Sequence, residues 1–222
     1  ACGDKKAACR VAILDPDLTA SVPPLVAAAT GIDAISHAVE TSVTRVRNPI
    51  SQLFSRQAWK LLVGAFPGVM EDPQDVAARG AMLLGAHLAG AAIENSMLGA
   101  AHALANPLSA HFGLTHGVAV GIMLPHVVRF NSEAVGEHYG RMAADAGLCD
   151  SSDRDAPEYV ARHLESLLSL SGLPTTLRKC GIDERMFPTL SEEAASQWTG
   201  TFNPRPVDQR SLREVYRCAH CG

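Results

Sequence analysis

The sequence predicts a mainly α-helical fold, and three observations support this prediction. Apolar residues recur at helical spacing in several segments that Gly- and Pro-containing loops separate. The stretch from Asp75 to about Phe112 is dominated by Ala, Gly, Leu and Met, small and apolar residues that let helices approach closely. Only segment 10–15 reads as a convincing strand. With 222 residues, 47% of them apolar, the chain can bury a substantial core.

The first elements are a short strand and a helix. RVAILD at 10–15 predicts a strand that the turn residues of Asp15-Pro16-Asp17 end. Pro23 and Pro24 suit the first turn of a helix, because that turn needs no backbone N–H donor from proline. Apolar residues at helical spacing from Thr30 onward continue this helix.

A second, amphipathic helix is predicted at 50–63, after the break at Asn48-Pro49. Its apolar side is expected to contain Leu53, with Trp59 beyond the edge of that side. The segment 64–73 contains Gly and Pro and is expected to end this helix and begin the next one.

The rest of the chain is predicted to be helical. Two buried helices with a break near 94–96 are expected in the small-residue stretch, and Pro125 is expected to kink or end the apolar stretch 117–130. Later helical patterns cover 134–146, 157–170, 184–198 and 208–218.

Charge and composition narrow the classes of partner. The formal net charge of −4 gives no electrostatic case for nucleic acid, and the apolar tracts contain charged residues, Gly or His before they reach membrane-spanning length. We therefore expect neither a nucleic acid nor a membrane partner, and a cytoplasmic location. The six cysteines lack framework spacing, which favours free thiols. Half a zinc site at Cys218-Ala-His-Cys221 is the minority interpretation.

Four residues form a candidate metal site. Asp33 and His37 are four apart on a predicted helix, so both side chains leave the same face one turn apart, as a chelating pair requires. His102 and His116 lie in a second apolar stretch. One carboxylate and three imidazoles form a plausible ligand set for iron or zinc. The alternative stays open at this point, because a single His on an apolar helix is more often a hydrogen-bonded core residue. His87 and His126 are expected to be core or supporting histidines.

Three long strings resemble signature blocks of the iron-containing alcohol dehydrogenase family, in order and with similar spacing. They are DPDLTASVPPLVAAATGIDAISHAVE, NPISQLFSRQAWKLL and AHALANPLSAHFGLTHGVAVGIMLPHVVRFN, and FNPRPVDQRSLREVY adds a weaker match. The resemblance implies the all-helical, C-terminal half of that family, of the dehydroquinate synthase-like type. It implies a linker with one short strand at 1–22 and a helical metal-binding domain at 23–222. By the same resemblance Asp33 and His37 are the first ligand pair, His102 the third ligand and His116 the fourth.

The resemblance also implies a function. We expect a metal-dependent, NAD(P)-linked alcohol dehydrogenase or carbonyl reductase, with Fe2+ first and Zn2+ second as the metal. Its substrates would be small alcohols, aldehydes or ketones, and the protein would be a homo-oligomer. Full-length family members place a dinucleotide-binding α/β domain before the helical half, and no such pattern precedes Arg10. The resemblance therefore leaves three expectations open: a fragment of a longer protein, a chain whose cofactor half lies on another chain, or a stand-alone product that has lost hydride chemistry.

One residue departs from the family pattern. Many relatives have a second His four residues after the third ligand, where it is thought to serve proton transfer, and this chain has Asn106 there. An Asn side chain does not titrate near neutral pH, so it can orient substrate or water but not act as an acid or base. His111 is an alternative relay or a plain surface residue. Asn106 therefore favours a second hypothesis, a non-catalytic helical metal-binding or assembly module.

Overall fold

The computed structural model describes residues 9–221, and all regular secondary structure within this range is helical. The predicted mainly α-helical fold is therefore confirmed. A short 3₁₀ turn at 17–19 precedes the first α-helix, and others at 178–180, 184–186 and 198–202 lie between later α-helices. The α-helices are α1 (Pro24–Val43), α2 (Pro49–Glu71), α3 (Val76–Glu94), α4 (Ala100–Phe112), α5 (His116–Asp145), α6 (Ala156–Leu170), α7 (Phe187–Ser196) and α8 (Gln209–Cys221).

Helix α1 lies at the centre of the N-terminal half, where α2, α3 and α5 pack against it. Its small and branched apolar residues present close-packing surfaces on several sides, and Ile35, Ala38 and Val39 are at most 1% exposed. Proline at the first position of α1 and of α2 supplies a preformed helical φ. Asn48 caps α2 in a reciprocal capping box with Ser51.

Two buried aromatic residues connect distant helices through their polar atoms. Trp59 Nε1 of α2 donates to the carbonyl of Met142 in α5 at 2.9 Å. Tyr216 Oη of α8 donates to the carbonyl of Leu104 in α4 at 2.6 Å. Both side chains are fully buried, so each pair fixes its helices without leaving a buried polar atom unsatisfied.

The predicted strand at 10–15 is wrong. This segment has no regular secondary structure, and Val11 and Ile13 are 77% and 88% exposed. A strand requires a neighbouring strand for its hydrogen bonds, and residues 9–221 supply none at this position.

Helix α2 is longer than predicted but ends within 64–73, whereas the end that Pro125 suggested is absent from α5. Helix α2 continues through Gly64 and Pro67 to Glu71, and α5 continues through Pro125. Phe66 and Leu124, the residues that precede the two prolines, are buried, so core packing outweighs the lost backbone hydrogen bond. The irregular point in α5 is Val135, at φ −142° and ψ 29°.

Burial differs from the prediction in α2 and α3. Trp59 is fully buried and Leu53 is 70% exposed, because the buried face of α2 is rotated relative to the predicted one. Helix α3 buries only four residues, and His87 on it is exposed rather than in the core. The break predicted near 94–96 is confirmed, since α3 ends at Glu94 and α4 begins at Ala100.

Candidate metal centre

Three helices bring the four predicted ligand residues together. Asp33 and His37 lie one turn apart on α1, His102 lies in the first turn of α4, and His116 is the first residue of α5. The short connections before α4 and α5 therefore place both helix N-termini beside the middle of α1.

The carboxylate of Asp33 is the common point of the cluster. Its Oδ1 atom lies 3.6 Å from His37 Nε2, 3.6 Å from His102 Nε2 and 3.7 Å from His116 Nε2. One ligating atom from each of Asp33, His37 and His102 lies within 4.8 Å of the others. The His102 ring is 5.0 Å from the His37 ring and 5.2 Å from the His116 ring, measured between centroids. Four potential metal-ligating atoms therefore lie close together in one small volume.

Two of these atoms lack a hydrogen-bond partner within residues 9–221. Asp33 Oδ1 and His102 Nε2 are both buried and unpartnered, and their separation of 3.6 Å is too long for a hydrogen bond. A buried polar atom without a partner costs free energy that a shared cation would offset. One carboxylate oxygen and three imidazole nitrogens form a donor set that suits divalent iron or zinc. The residues present therefore fit a metal ion.

Glu40 contacts His102 on the side of the ring that faces away from Asp33. The sequence prediction did not include this residue. Its Oε2 atom lies 2.5 Å from His102 Nδ1, and its Oε1 accepts the Ala101 N–H at 2.7 Å. The side chain is 2% exposed. A carboxylate that holds the far nitrogen of a His leaves the other nitrogen free to bind a metal. The signal was available, because Glu40 follows Asp33 by seven residues and so shares the face of α1 that carries His37.

Asn203 holds the same helix N-terminus. Its Oδ1 accepts the Ala100 N–H at 3.2 Å, and its side-chain amide exchanges hydrogen bonds with that of Asn131 at 2.7 and 3.1 Å. Glu40 and Asn203 together satisfy two backbone donors of the first turn of α4. This turn carries His102, so both buried side chains fix the position of its ring.

The cluster is open on one side. The side chain of His102 is 6% exposed, those of His37 and Asp33 are 24% and 25% exposed, and that of His116 is 40% exposed. Catalytic metal sites keep one position open for water or substrate, whereas structural sites are closed. This arrangement resembles the catalytic class.

Electrostatics set the protonation states of the four groups. Burial lowers the pKa of His37 to about 4 and also lowers the pKa of His116, so both are neutral at pH 7. Burial opposes a charge on His102, but Glu40 and Asp33 outweigh it and raise the pKa of His102 to about 9. Burial likewise raises the pKa of Asp33, but the surrounding histidines dominate and lower it.

The other candidate residues lie outside this cluster. Asn106 Nδ2 donates to Gln197 Oε1 at 3.0 Å, and the partly exposed His111 lies 2.8 Å from Glu193 Oε1. His126 faces a cavity between α5 and α8.

The cysteines give no sign of a second metal site. Within residues 9–221 the Asp33, His37 and His102 group is the only cluster that could hold a metal. His220, in the closing Cys-Ala-His-Cys, lies 3.1 Å from the carbonyl of Ile182 instead. The five cysteines in the described range are free thiols, and Cys2 lies outside it.

Comparison with known proteins identifies the family. The model of the Fe-containing alcohol dehydrogenase family, C-terminal, matches residues 27–220. The chain belongs to this family. Among iron-type alcohol dehydrogenases it is 32% identical to lactaldehyde reductase of Escherichia coli (strain K12), over 95% of this chain and 55% of that protein. It is 30% identical to the NADPH-dependent butanol dehydrogenase of Clostridium saccharobutylicum, over 96% of this chain and 55% of the relative.

Solved structures of iron-type alcohol dehydrogenases share the fold. The alcohol dehydrogenase from Oenococcus oeni superimposes with a TM-score of 0.88 at 28% identity, over 92% of this chain and 54% of that chain. The chain thus spans about half the length of the curated relatives it matches. The match to the C-terminal, all-helical part of the family agrees with the resemblance of the three sequence strings.

Proposed function

We propose that this chain is the metal-binding half of an NAD(P)-linked, metal-dependent alcohol dehydrogenase or carbonyl reductase. Residues 23–222 would form the metal-binding domain, and polypeptide outside these 222 residues would bind the dinucleotide. Family membership supports the reaction class, since the relatives are named as alcohol dehydrogenases and aldehyde reductases. Small alcohols, aldehydes or ketones are the corresponding substrates.

One observation carries the proposal. The two unpartnered buried atoms, Asp33 Oδ1 and His102 Nε2, lie 3.6 Å apart with His37 and His116 beside them. Buried polar atoms without a partner are uncommon in protein interiors, and an ion bound between these two would satisfy both. In this proposal Asp33, His37, His102 and His116 hold a divalent ion, iron first and zinc second. Nitrogen and oxygen ligands discriminate weakly between these metals, so the family name decides the order.

The chain's own residues would prepare the site for this chemistry. When bound, the metal supplies a Lewis acid that polarises a substrate hydroxyl or carbonyl oxygen, and NAD(P) supplies the hydride acceptor or donor. Glu40 accepts the Nδ1 proton of His102, so Nε2 would be the ligating atom once its own proton is displaced. The open side at His116 leaves room for a substrate oxygen.

Asn106 would orient substrate rather than transfer a proton. It follows His102 by one helical turn, on the same side of α4. Its Nδ2 is committed to Gln197, which leaves its Oδ1 to accept a hydrogen bond from a substrate hydroxyl or a water. The amide does not titrate, so the proton must leave by water or another group.

Metal titration tests the ligand assignment. We expect His102→Ala and His116→Ala to lose tight binding of Zn2+, or of Co2+ as a spectroscopic substitute, while their helical circular dichroism is retained. His111→Ala is the matched control, because it removes a partly exposed imidazole outside the cluster. Equal metal content in all three variants and the unsubstituted chain would contradict the assignment.

Asn106 also favours a second candidate, a non-catalytic metal-binding or assembly module. Such a module would bind the ion with the same ligands but would not oxidise an alcohol. Turnover of a small primary alcohol with NAD+ or NADP+, by the metal-loaded chain together with the polypeptide that binds the dinucleotide, would reject it.

A further inference from the structure

A cavity of about 910 Å³ lies between α5 and α8. None of the four metal-centre residues lines it. Two helix faces oppose each other across the cavity, because the lining residues recur at spacings of three and four along each helix. They are His126, Arg129 and Phe130 on α5, and Arg210, Arg213 and Arg217 on α8.

Two of these arginines have no carboxylate partner. Arg129 is held by Glu158 and Glu165, and Arg217 lies 3.0 Å from Glu214. Within residues 9–221, no carboxylate lies within salt-bridge distance of Arg210 or Arg213, whose charges remain available on successive turns of α8. Their ion-pairing capacity is therefore free for a ligand.

Arg213 also has a buried nitrogen atom without a hydrogen-bond partner. Arg213 is partly buried, and its Nε atom has no solvent exposure and no hydrogen-bond partner in the described part of the chain. An unpartnered guanidinium N–H is costly in such a position. Of the two carboxylates in the cavity wall, Glu214 pairs with Arg217, and Asp208 accepts the Ser211 N–H at 2.8 Å and so caps the start of α8. The Ser211 N–H lowers the pKa of the Asp208 carboxyl, and Arg210 lies close enough to help lower it, but not within salt-bridge distance.

Arg205 and Phe130 are in contact in the wall of the cavity. The Arg205 guanidinium lies 4.3 Å from the centre of the Phe130 ring and donates to the Phe130 carbonyl at 2.8 Å. Stacking and a hydrogen bond together fix this side chain. His126 adds a polar ring to the same wall, and burial lowers its pKa to about 4, so it is neutral at pH 7.

We propose that this cavity binds a small anion, a phosphate ester or a di- or tricarboxylate, through Arg210 and Arg213. Guanidinium groups bind phosphate and carboxylate oxygens in pairs of parallel hydrogen bonds, and two such groups one turn apart suit an anion with more than one charge. The volume lies within the ordinary range of small-molecule sites, about 300–1,000 Å³. The site is independent of the metal centre.

Calorimetric titration with pyrophosphate and with citrate tests this proposal. The metal-free chain is titrated at constant ionic strength, and we expect saturable binding of at least one of the two probes. The double variant Arg210→Gln/Arg213→Gln should weaken it at least about tenfold, since two charge-assisted hydrogen-bonding groups are removed. Arg185→Gln is the matched control, because Arg185 is exposed and paired with Asp183 elsewhere. Circular dichroism verifies that each variant is folded.

The arms of the experiment separate the possible outcomes. Binding of pyrophosphate alone indicates a phosphate ester, and binding of citrate alone indicates a carboxylate ligand. His102→Ala should bind the probe as tightly as the unsubstituted chain, and a loss there would assign the anion to the metal centre instead. Absent binding, or equal binding by the double variant and Arg185→Gln, would overturn the proposal. So would binding of an acidic peptide without either small probe, because the groove would then be a protein-docking surface.

Discussion

Glu40 shows how much a single buried side chain contributes to the candidate metal centre. One carboxylate satisfies two groups at once, the Nδ1 atom of His102 and the backbone N–H of Ala101. The first hydrogen bond fixes the tautomer of the ring, and the second anchors the helix turn that carries it. The orientation of His102 therefore depends on α1 as much as on α4.

Replacing Glu40 tests this dependence. Glu40→Gln keeps the shape and an acceptor for Ala101 but removes the negative charge beside His102. We expect metal affinity to fall by about 10- to 100-fold, the usual effect of losing a group that supports a metal ligand. Competition with a coloured chelator measures the change. Glu193→Gln removes the carboxylate beside His111, outside the cluster, and should leave affinity unchanged. Equal affinities in the two variants would show that Glu40 does not act through His102.

Individual residues differ in how far the sequence alone predicts them. The spacing of Asp33 and His37 predicts a shared helix face, and the structure places both side chains there. The burial of Trp59 was predicted incorrectly, because it depends on a hydrogen bond to Met142, 83 residues further along the chain. Helical periodicity describes one helix and contains no information about such a distant partner.

At the level of elements, the contact between α1 and α5 is unusually close. A Cβ atom on Gly117 would lie 2.0 Å from the carbonyl oxygen of Ala29, a backbone atom of α1 that cannot move aside. Only glycine allows this approach, and the residue before it is His116. The glycine therefore sets the distance between His116 and the ligand pair on α1.

Gly117→Ala is expected to push the two helices apart. We predict a loss of about 1–3 kcal/mol or more in the free energy of unfolding, the usual cost of overpacking, together with weaker metal binding. Urea unfolding followed by circular dichroism measures the first effect. The matched control is Gly90→Ala in α3, where an added Cβ meets nothing within 4 Å. This variant should be neutral or gain up to about 1 kcal/mol from higher helix propensity. Similar stabilities of the two variants would refute the close-contact explanation.

Helix existence was predictable from the sequence, whereas helix ends were not. The patterns at 157–170 and 208–218 agree with α6 and α8 to within a few residues. The helix predicted at 50–63 continues through Pro67 to Glu71, and Pro125 suggested an end that α5 does not have. Local signals favour a break at proline, but burial of the neighbouring residues in the tertiary fold reverses that preference.

At the level of the whole molecule, buried histidines connect folding to pH. Burial, with a smaller contribution from Arg129, lowers the pKa of His126 to about 4 from its ordinary 6.5. The folded chain therefore binds this proton less readily than the unfolded chain does. The stability that His126 contributes is present above pH 6.5 and is lost as the pH falls toward 4.

The free energy of unfolding, measured between pH 6.5 and about 4, tests whether protonation of His126 lowers the stability of the folded chain. We expect the free energy of unfolding of the metal-free chain to decrease between pH 6.5 and about 4. His126→Gln should decrease this dependence without abolishing it, because the pKa of His37 is also lowered to about 4. His87→Gln is the control, since its side chain is exposed in the folded chain. An unchanged pH dependence in His126→Gln would contradict the assignment.

The residues of the candidate centre are also far apart along the chain, and all of α2 and α3 lies between His37 and His102. An ion held by both histidines would close that long loop as a removable cross-link. Because the unfolded chain has no preformed site for the ion, the free energy of binding would add to the stability of the folded chain, including helices that the ion never touches. Heat resistance and metal occupancy would then rise and fall together in this protein.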